Sequence, residues 1–178
     1  MSKRPFKDDI TEQDLFDLGI NQIGYTKTSK IVFSEDVRAI CEKNQCGNYG
    51  RSWTCPPAVG TLDECIARIM KYEDVLVYSV VTELEDSFDF EGMQRGSERF
   101  VKITEQLFGM LEKPYLLLSS ASCGRCSACN YPNPCRFPEK LSPAVESYGI
   151  YVYKIAETAG IPYRLRPNTV SYFGIVCY

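Results

Sequence analysis

The chain contains no histidine. That single absence excludes Ser-His-Asp and Cys-His catalysis, mixed Cys/His zinc sites and His-ligated haem. Long apolar runs are missing too: none approaches the roughly 18 residues of a membrane span. The opening MSKRPFKDDI lacks the apolar stretch of a signal peptide, so a cytoplasmic protein is expected. Positive charge is not in excess. Twenty Lys and Arg stand against 23 Asp and Glu, with a net charge of −3 and a pI near 5.1, which argues against a nucleic-acid surface. There is no Rossmann or P-loop glycine signature and no zinc-protease motif. Without repeats or a Gly/Ser- or Pro-rich linker, residues 1–178 read as a single domain. At this length about 70 % of the unfolded surface is buried, enough for a core that needs no disulfides.

Against these absences stand nine cysteines. In a chain expected to be unsecreted and to build its own core, they indicate metal or redox chemistry rather than a disulfide framework. Cys41, Cys46 and Cys55 lie in CEKNQCGNYGRSWTCPP. Cys123, Cys126, Cys129 and Cys135 lie in CGRCSACNYPNPCRFP. Cys65 and Cys177 stand apart.

The pattern around them alternates. A short helix is expected from Thr11 to Gly19, then a strand or hairpin over 22–33. Thr61-x-x-Glu64 is a capping box, and Leu62, Cys65, Ile66 and Ile69 follow on one helical face. A buried strand is predicted over 74–81, a long helix over 90–112 and a strand over 114–121. Ser142 with Pro143 predicts another helix start, 150–159 a further helix, and 169–178 a final strand. Together these predict an α/β fold, a sheet of about four to five strands with packed helices and two cysteine-rich loops, 41–57 and 123–138.

Cys123-x-x-Cys126-x-x-Cys129 is the most specific motif. Such spacing lets successive thiolates curl around one centre, as in the first three positions of the bacterial ferredoxin run. The spacer before Cys135 is longer than in that run, which is compatible with all four ligands on one [4Fe–4S] cluster. Around it, Arg125, Arg136 and Lys140 stand against Glu139 alone. Arg125 and Arg136 are therefore candidates to stabilise an anionic cluster and raise its potential. Structural zinc is the rival occupant, since it also accepts four thiolates.

The first group supplies three thiolates, Cys41, Cys46 and Cys55, with Trp53 and Tyr49 placed to shield them. Cys65 is the nearest candidate for a fourth ligand. Its apolar helical neighbours favour a core role, as does the apolar strand around Cys177. With no fourth cysteine, one iron of such a centre is open to water or substrate. The acidic run Glu83, Glu85, Asp86, Asp89 and Glu91 reads as a solvated loop and helix start.

The blocks CEKNQCGNYGRSWTCPP and CGRCSACNYPNPCRFPEKLSPAVESYGI resemble those of a family of predicted metal-binding proteins from anaerobic bacteria and archaea. The matching residues run from Cys41, Cys46, Gly47, Asn48, Tyr49, Gly50, Cys55, Pro56 and Pro57 to Cys123, Cys126, Cys129, Pro134, Cys135, Arg136, Pro138, Glu139, Pro143, Glu146 and Gly149. The resemblance implies metal binding through cysteine, as iron–sulfur clusters, in a cytoplasmic protein, and supplies no reaction. Members often carry a cysteine just before Cys-Pro-Pro; Thr54 stands there in this chain, leaving the first site one thiolate short.

The combined expectation is an iron–sulfur protein that carries electrons through one [4Fe–4S] cluster, with a second cysteine-ligated centre. The alternatives are an enzyme binding a small substrate at an open iron of the first centre, and a structural zinc adaptor. The expected partner is a redox protein or a small-molecule ligand, with neither nucleic acid nor membrane.

Overall fold

The computed structural model describes residues 10–112, 114–121 and 123–178. Four strands form one antiparallel sheet: β1 (Gln22–Lys27), β2 (Asp74–Glu83), β3 (Leu116–Ser119) and β4 (Thr169–Cys177), in the order β1-β2-β4-β3. Among the described residues five α-helices accompany it: α1 (Glu12–Asp17), α2 (Glu35–Glu42), α3 (Leu62–Ile69), α4 (Phe90–Met110) and α5 (Val152–Thr158). The class is α/β, as the alternation of patterns predicts.

The two central strands are apolar on both faces, so each face needs a helical cover. Val75, Val77, Phe173, Ile175 and Cys177 pack with Cys65 and Ile69 of α3, Ile155 of α5 and the segment Val145–Ile150. On the other face Leu76, Tyr78, Val80 and Val176 meet Leu15 of α1 and Phe100, Ile103 and Leu107 of α4. The expected caps form. Thr61 and Glu64 close a capping box on α3, and Thr11 and Asp14 do the same on α1.

Three differences from the sequence reading matter for the site. Residues 22–33 do not form one strand or hairpin. Strand β1 ends at Lys27 in a 3-10 turn, Thr28–Lys30, and Phe33 makes one bridge to Ile150. Ser34 then caps a helix the pattern did not show, α2, so Cys41 sits in its last turn rather than in a loop. Finally, Ser142–Pro143 opens no α-helix. The backbone of Ser119, at the sheet edge, accepts from Val145 N at 3.0 Å and donates to Pro143 O at 2.9 Å. Those bonds occupy the groups a first helical turn would use, and only a 3-10 turn follows, at Glu146–Tyr148.

This edge pairing positions the second cysteine loop. The chain leaves the sheet after Ser119 and Ser120, which exchanges hydrogen bonds with Phe173, and returns at Pro143–Val145 beside its point of departure. The loop is an excursion held at a closed neck.

Candidate metal centres

The four cysteines of the second loop, Cys123, Cys126, Cys129 and Cys135, line one open cavity of about 670 Å³. The opposite wall is the first loop: Gly47, Asn48, Gly50, Arg51, Ser52, Trp53 and Thr54. Trp53 joins the walls. Its indole N–H donates to Asn133 O at 2.9 Å, and its ring meets Tyr131 edge-on with centroids 5.1 Å apart. Expected to shield the first site, Trp53 instead reaches across to the second.

The sulfurs receive donors. Partial burial pushes the Cys129 thiol up, but the backbone N–H groups of Trp53, Tyr131 and Asn130 and the Ser52 hydroxyl outweigh it, leaving the thiol below its ordinary range. Phe137 N–H donates to Cys135 Sγ at 3.4 Å. Such donors favour sulfur carrying negative charge, which a metal or cluster requires. Four thiols around a space, with N–H groups aimed at sulfur, fit a tetrathiolate centre in their chemistry. Among the described residues no three Cys, Asp or Glu side chains close on a single-ion site.

The two arginines differ. Arg125 lines the cavity, yet its guanidinium lies over the Phe108 ring, pairs with Glu105 of α4 at 3.2 Å and donates to Lys140 O. Glu105 therefore offsets part of the positive balance counted within the loop. Arg136 is not among the lining residues. It ties the loop to itself by donating to Ala128 O at 3.2 Å and Asn130 Oδ1 at 3.4 Å.

Cys41, Cys46 and Cys55 lie outside that cavity; the charges of Cys46 and Cys41 act on Cys55, and that of Cys46 acts on Cys41. Cys41 is half-buried, Cys46 exposed and Cys55 buried. Burial pushes the Cys55 thiol up to about 11, with the Thr54 hydroxyl opposing and Cys46, Cys41 and Glu146 adding to the rise. Burial also raises Cys41, helped by Glu146 and opposed by Arg38. A metal bound here must displace these protons, so binding strengthens as pH rises.

Sequence reasoning gave no role to two charged residues that act on these thiols. Arg38, buried one helical turn before Cys41, donates to Ser147 O, to Gly60 O at 2.5 Å and toward Cys65 Sγ at 3.9 Å. The i,i+3 spacing of Arg38 and Cys41 was the available signal, had α2 been recognised. Glu146 opens the 3-10 turn after the neck of the second loop, and its charge adds to the rise of the Cys41 and Cys55 thiols. Cys65 and Cys177 are core residues, both fully buried in the α3/α5 face, in line with their apolar neighbours. All nine cysteines are unpaired.

A family model described as predicted metal-binding protein (DUF2284) matches residues 25–178. The chain belongs to that family. No curated protein and no solved structure matches it. Members of this family are thus described by metal binding, and here the matched region contains all nine cysteines.

Proposed function

We propose that the protein is a cytoplasmic iron–sulfur electron carrier, with a [4Fe–4S] cluster held by Cys123, Cys126, Cys129 and Cys135 and a second centre on Cys41, Cys46 and Cys55. The observation that carries this reading is the cavity rimmed by all four second-loop cysteines, with backbone N–H groups directed at the Cys129 and Cys135 sulfurs. When bound, a cluster accepts and returns one electron at a time. The chain's part is to hold the thiolates, to favour their negative charge and to leave the rim open to a redox partner. Nine free thiols suit a reducing compartment. Among the described residues no helix is long and apolar enough to cross a membrane.

The test is anaerobic purification followed by iron, sulfide and zinc analysis of wild type and Cys126→Ala. Iron with matching sulfide, reduced by dithionite and reoxidised without substrate, and diminished in the variant, is expected. Zinc without sulfide identifies the structural adaptor instead. A cluster whose spectrum responds to a small ligand identifies the enzyme.

A further inference from the structure

The chain leaves the sheet for the second loop after Ser119 and returns at Pro143, and a small cavity of about 10 Å³ lies at this neck. Ser119, Cys123, Arg125 and Ser142 line it from the neck and loop, and Thr104 and Glu105 line it from α4. Cys123 also lines the large cavity rimmed by the second-loop cysteines, and it alone of those four borders both spaces. Ser142 is 3 % exposed, and among the described residues its hydroxyl has no hydrogen-bond partner. The sheet edge holds it inside, since the next residue, Pro143, accepts from Ser119 N at 2.9 Å.

A buried hydroxyl without a partner costs free energy, and folded proteins satisfy such groups with an ordered water where space allows. This cavity is the least space in which one water fits, and it has the polar walls that a water requires. The other polar groups are already committed. Ser119 Oγ donates its one proton to Ala121 O at 2.8 Å, so toward the cavity it can only accept. Thr104 Oγ1 is engaged with the Tyr78 hydroxyl at 2.9 Å, and Glu105 with Arg125 at 3.2 Å. Ser142 is the free donor, and the Cys123 sulfur is the lining group that carries charge when metal is bound. We propose that this cavity holds one ordered water, which accepts from the Ser142 hydroxyl and donates to the Cys123 sulfur and to Ser119 Oγ, making Ser142 a positioning residue for the second-loop cluster. The proposal rests on the reading that Cys123, Cys126, Cys129 and Cys135 hold that cluster. Cys135 takes a donor directly, from Phe137 N–H; Cys123 takes its own through the water. A hydrogen bond to a ligand sulfur favours the more negative reduced cluster, so losing it lowers the reduction potential.

The experiment uses the full chain, loaded anaerobically with iron and sulfide, as wild type, Ser142→Ala, Ser142→Thr, Ser142→Val and Cys126→Ala. Circular dichroism confirms folding. Thr and Val are near-isosteric and differ by the hydroxyl, so that pair serves if Ala fails to fold. Cys126→Ala identifies which signals belong to the second-loop cluster. The readouts are iron per chain, reduction potential by film voltammetry, and the coupling of exchangeable protons to the reduced cluster, from electron–nuclear double resonance in H₂O against D₂O. Ser142→Ala and Ser142→Val are expected to keep their iron, shift to a lower potential and lose an exchangeable-proton coupling. Ser142→Thr is expected to retain both wild-type values, a rescue that a merely structural role would not produce. As a control, Ser171→Ala removes another buried hydroxyl without a partner, one that lines neither cavity, and should change neither value. Wild-type potential and proton coupling in both Ser142→Ala and Ser142→Val, with iron lost in Cys126→Ala, overturn the role of Ser142 while leaving the cluster standing. Unchanged iron in Cys126→Ala overturns the second-loop cluster, and the role of Ser142 with it.

Discussion

The surroundings of a cysteine decide its purpose. Cys177 lies in β4 opposite Val75 and Leu116, with no exposure, and burial pushes its thiol from the ordinary 9.0 up to about 12. The folded state therefore holds this proton more tightly than the unfolded chain. Its contribution to stability is complete below pH 9 and is lost as pH rises toward 12. Cys177→Val, which keeps the apolar contact and removes the proton, should lose less stability than wild type between pH 9 and 12 in urea titrations. Equal slopes would show that the thiol does not titrate there. Arg136 poses a different question, because its guanidinium both carries charge and braces the loop through Ala128 O and Asn130 Oδ1. Arg136→Glu should lower the reduction potential of the second-loop cluster, and Arg136→Gln should lower it less, as read by film voltammetry. A higher potential in either variant would place the cluster elsewhere. At this scale the sequence was informative wherever spacing alone carries chemistry, as in Cys123, Cys126, Cys129 and Cys135. It was silent on Glu105, which lies in a helix remote in sequence from the Arg125 it pairs with.

Strands and long helices were legible because burial imposes a period. Strand β2 is buried on both faces, and α4 repeats Phe100, Ile103 and Leu107 toward the sheet. Helix α2 was not, because only Val37 and Arg38 of its eight residues are buried, too few to set a period. Its best sign was the cap, Ser34 followed by Glu35 and Asp36. The neck at Pro143–Val145 escaped notice for another reason: the sheet edge recruits it, and local propensity for a helix start loses to two backbone bonds from Ser119. Pairing between β2 and β4 also has a consequence invisible in either strand alone. Gly174 stands opposite Tyr78, and a Cβ there would come within 2.0 Å of the tyrosine ring, which is fully buried with its hydroxyl bonded to Thr104 at 2.9 Å. Gly174→Ala is expected to cost about 3 kcal/mol or more in chemical denaturation, since neither ring nor backbone can yield easily. A variant as stable as wild type would mean that the ring does not cover this glycine.

In the whole molecule the core and the two centres are built from different residues. Both apolar clusters lie against the sheet, and among the ligand candidates only Cys55 is buried. Removing metal should therefore loosen residues 123–142 and leave the sheet intact. Hydrogen exchange on the chelated protein should show fast exchange in that segment and continued protection in β2 and β4. Protection lost throughout would make the metal a determinant of the entire fold. Separation is not complete, however, because the Gly47–Thr54 strip, carried between Cys46 and Cys55, also walls the cavity of the other group. Trp53 sits on that strip, and it is the chain's only tryptophan. Its emission therefore comes from a single place, in contact with the second loop through Asn133 and Tyr131. An iron–sulfur chromophore in the adjoining cavity would absorb that light by energy transfer, whereas zinc, with no visible absorption, would leave it. Fluorescence of the unlabelled protein thus offers a built-in optical gauge of which metal has arrived and when.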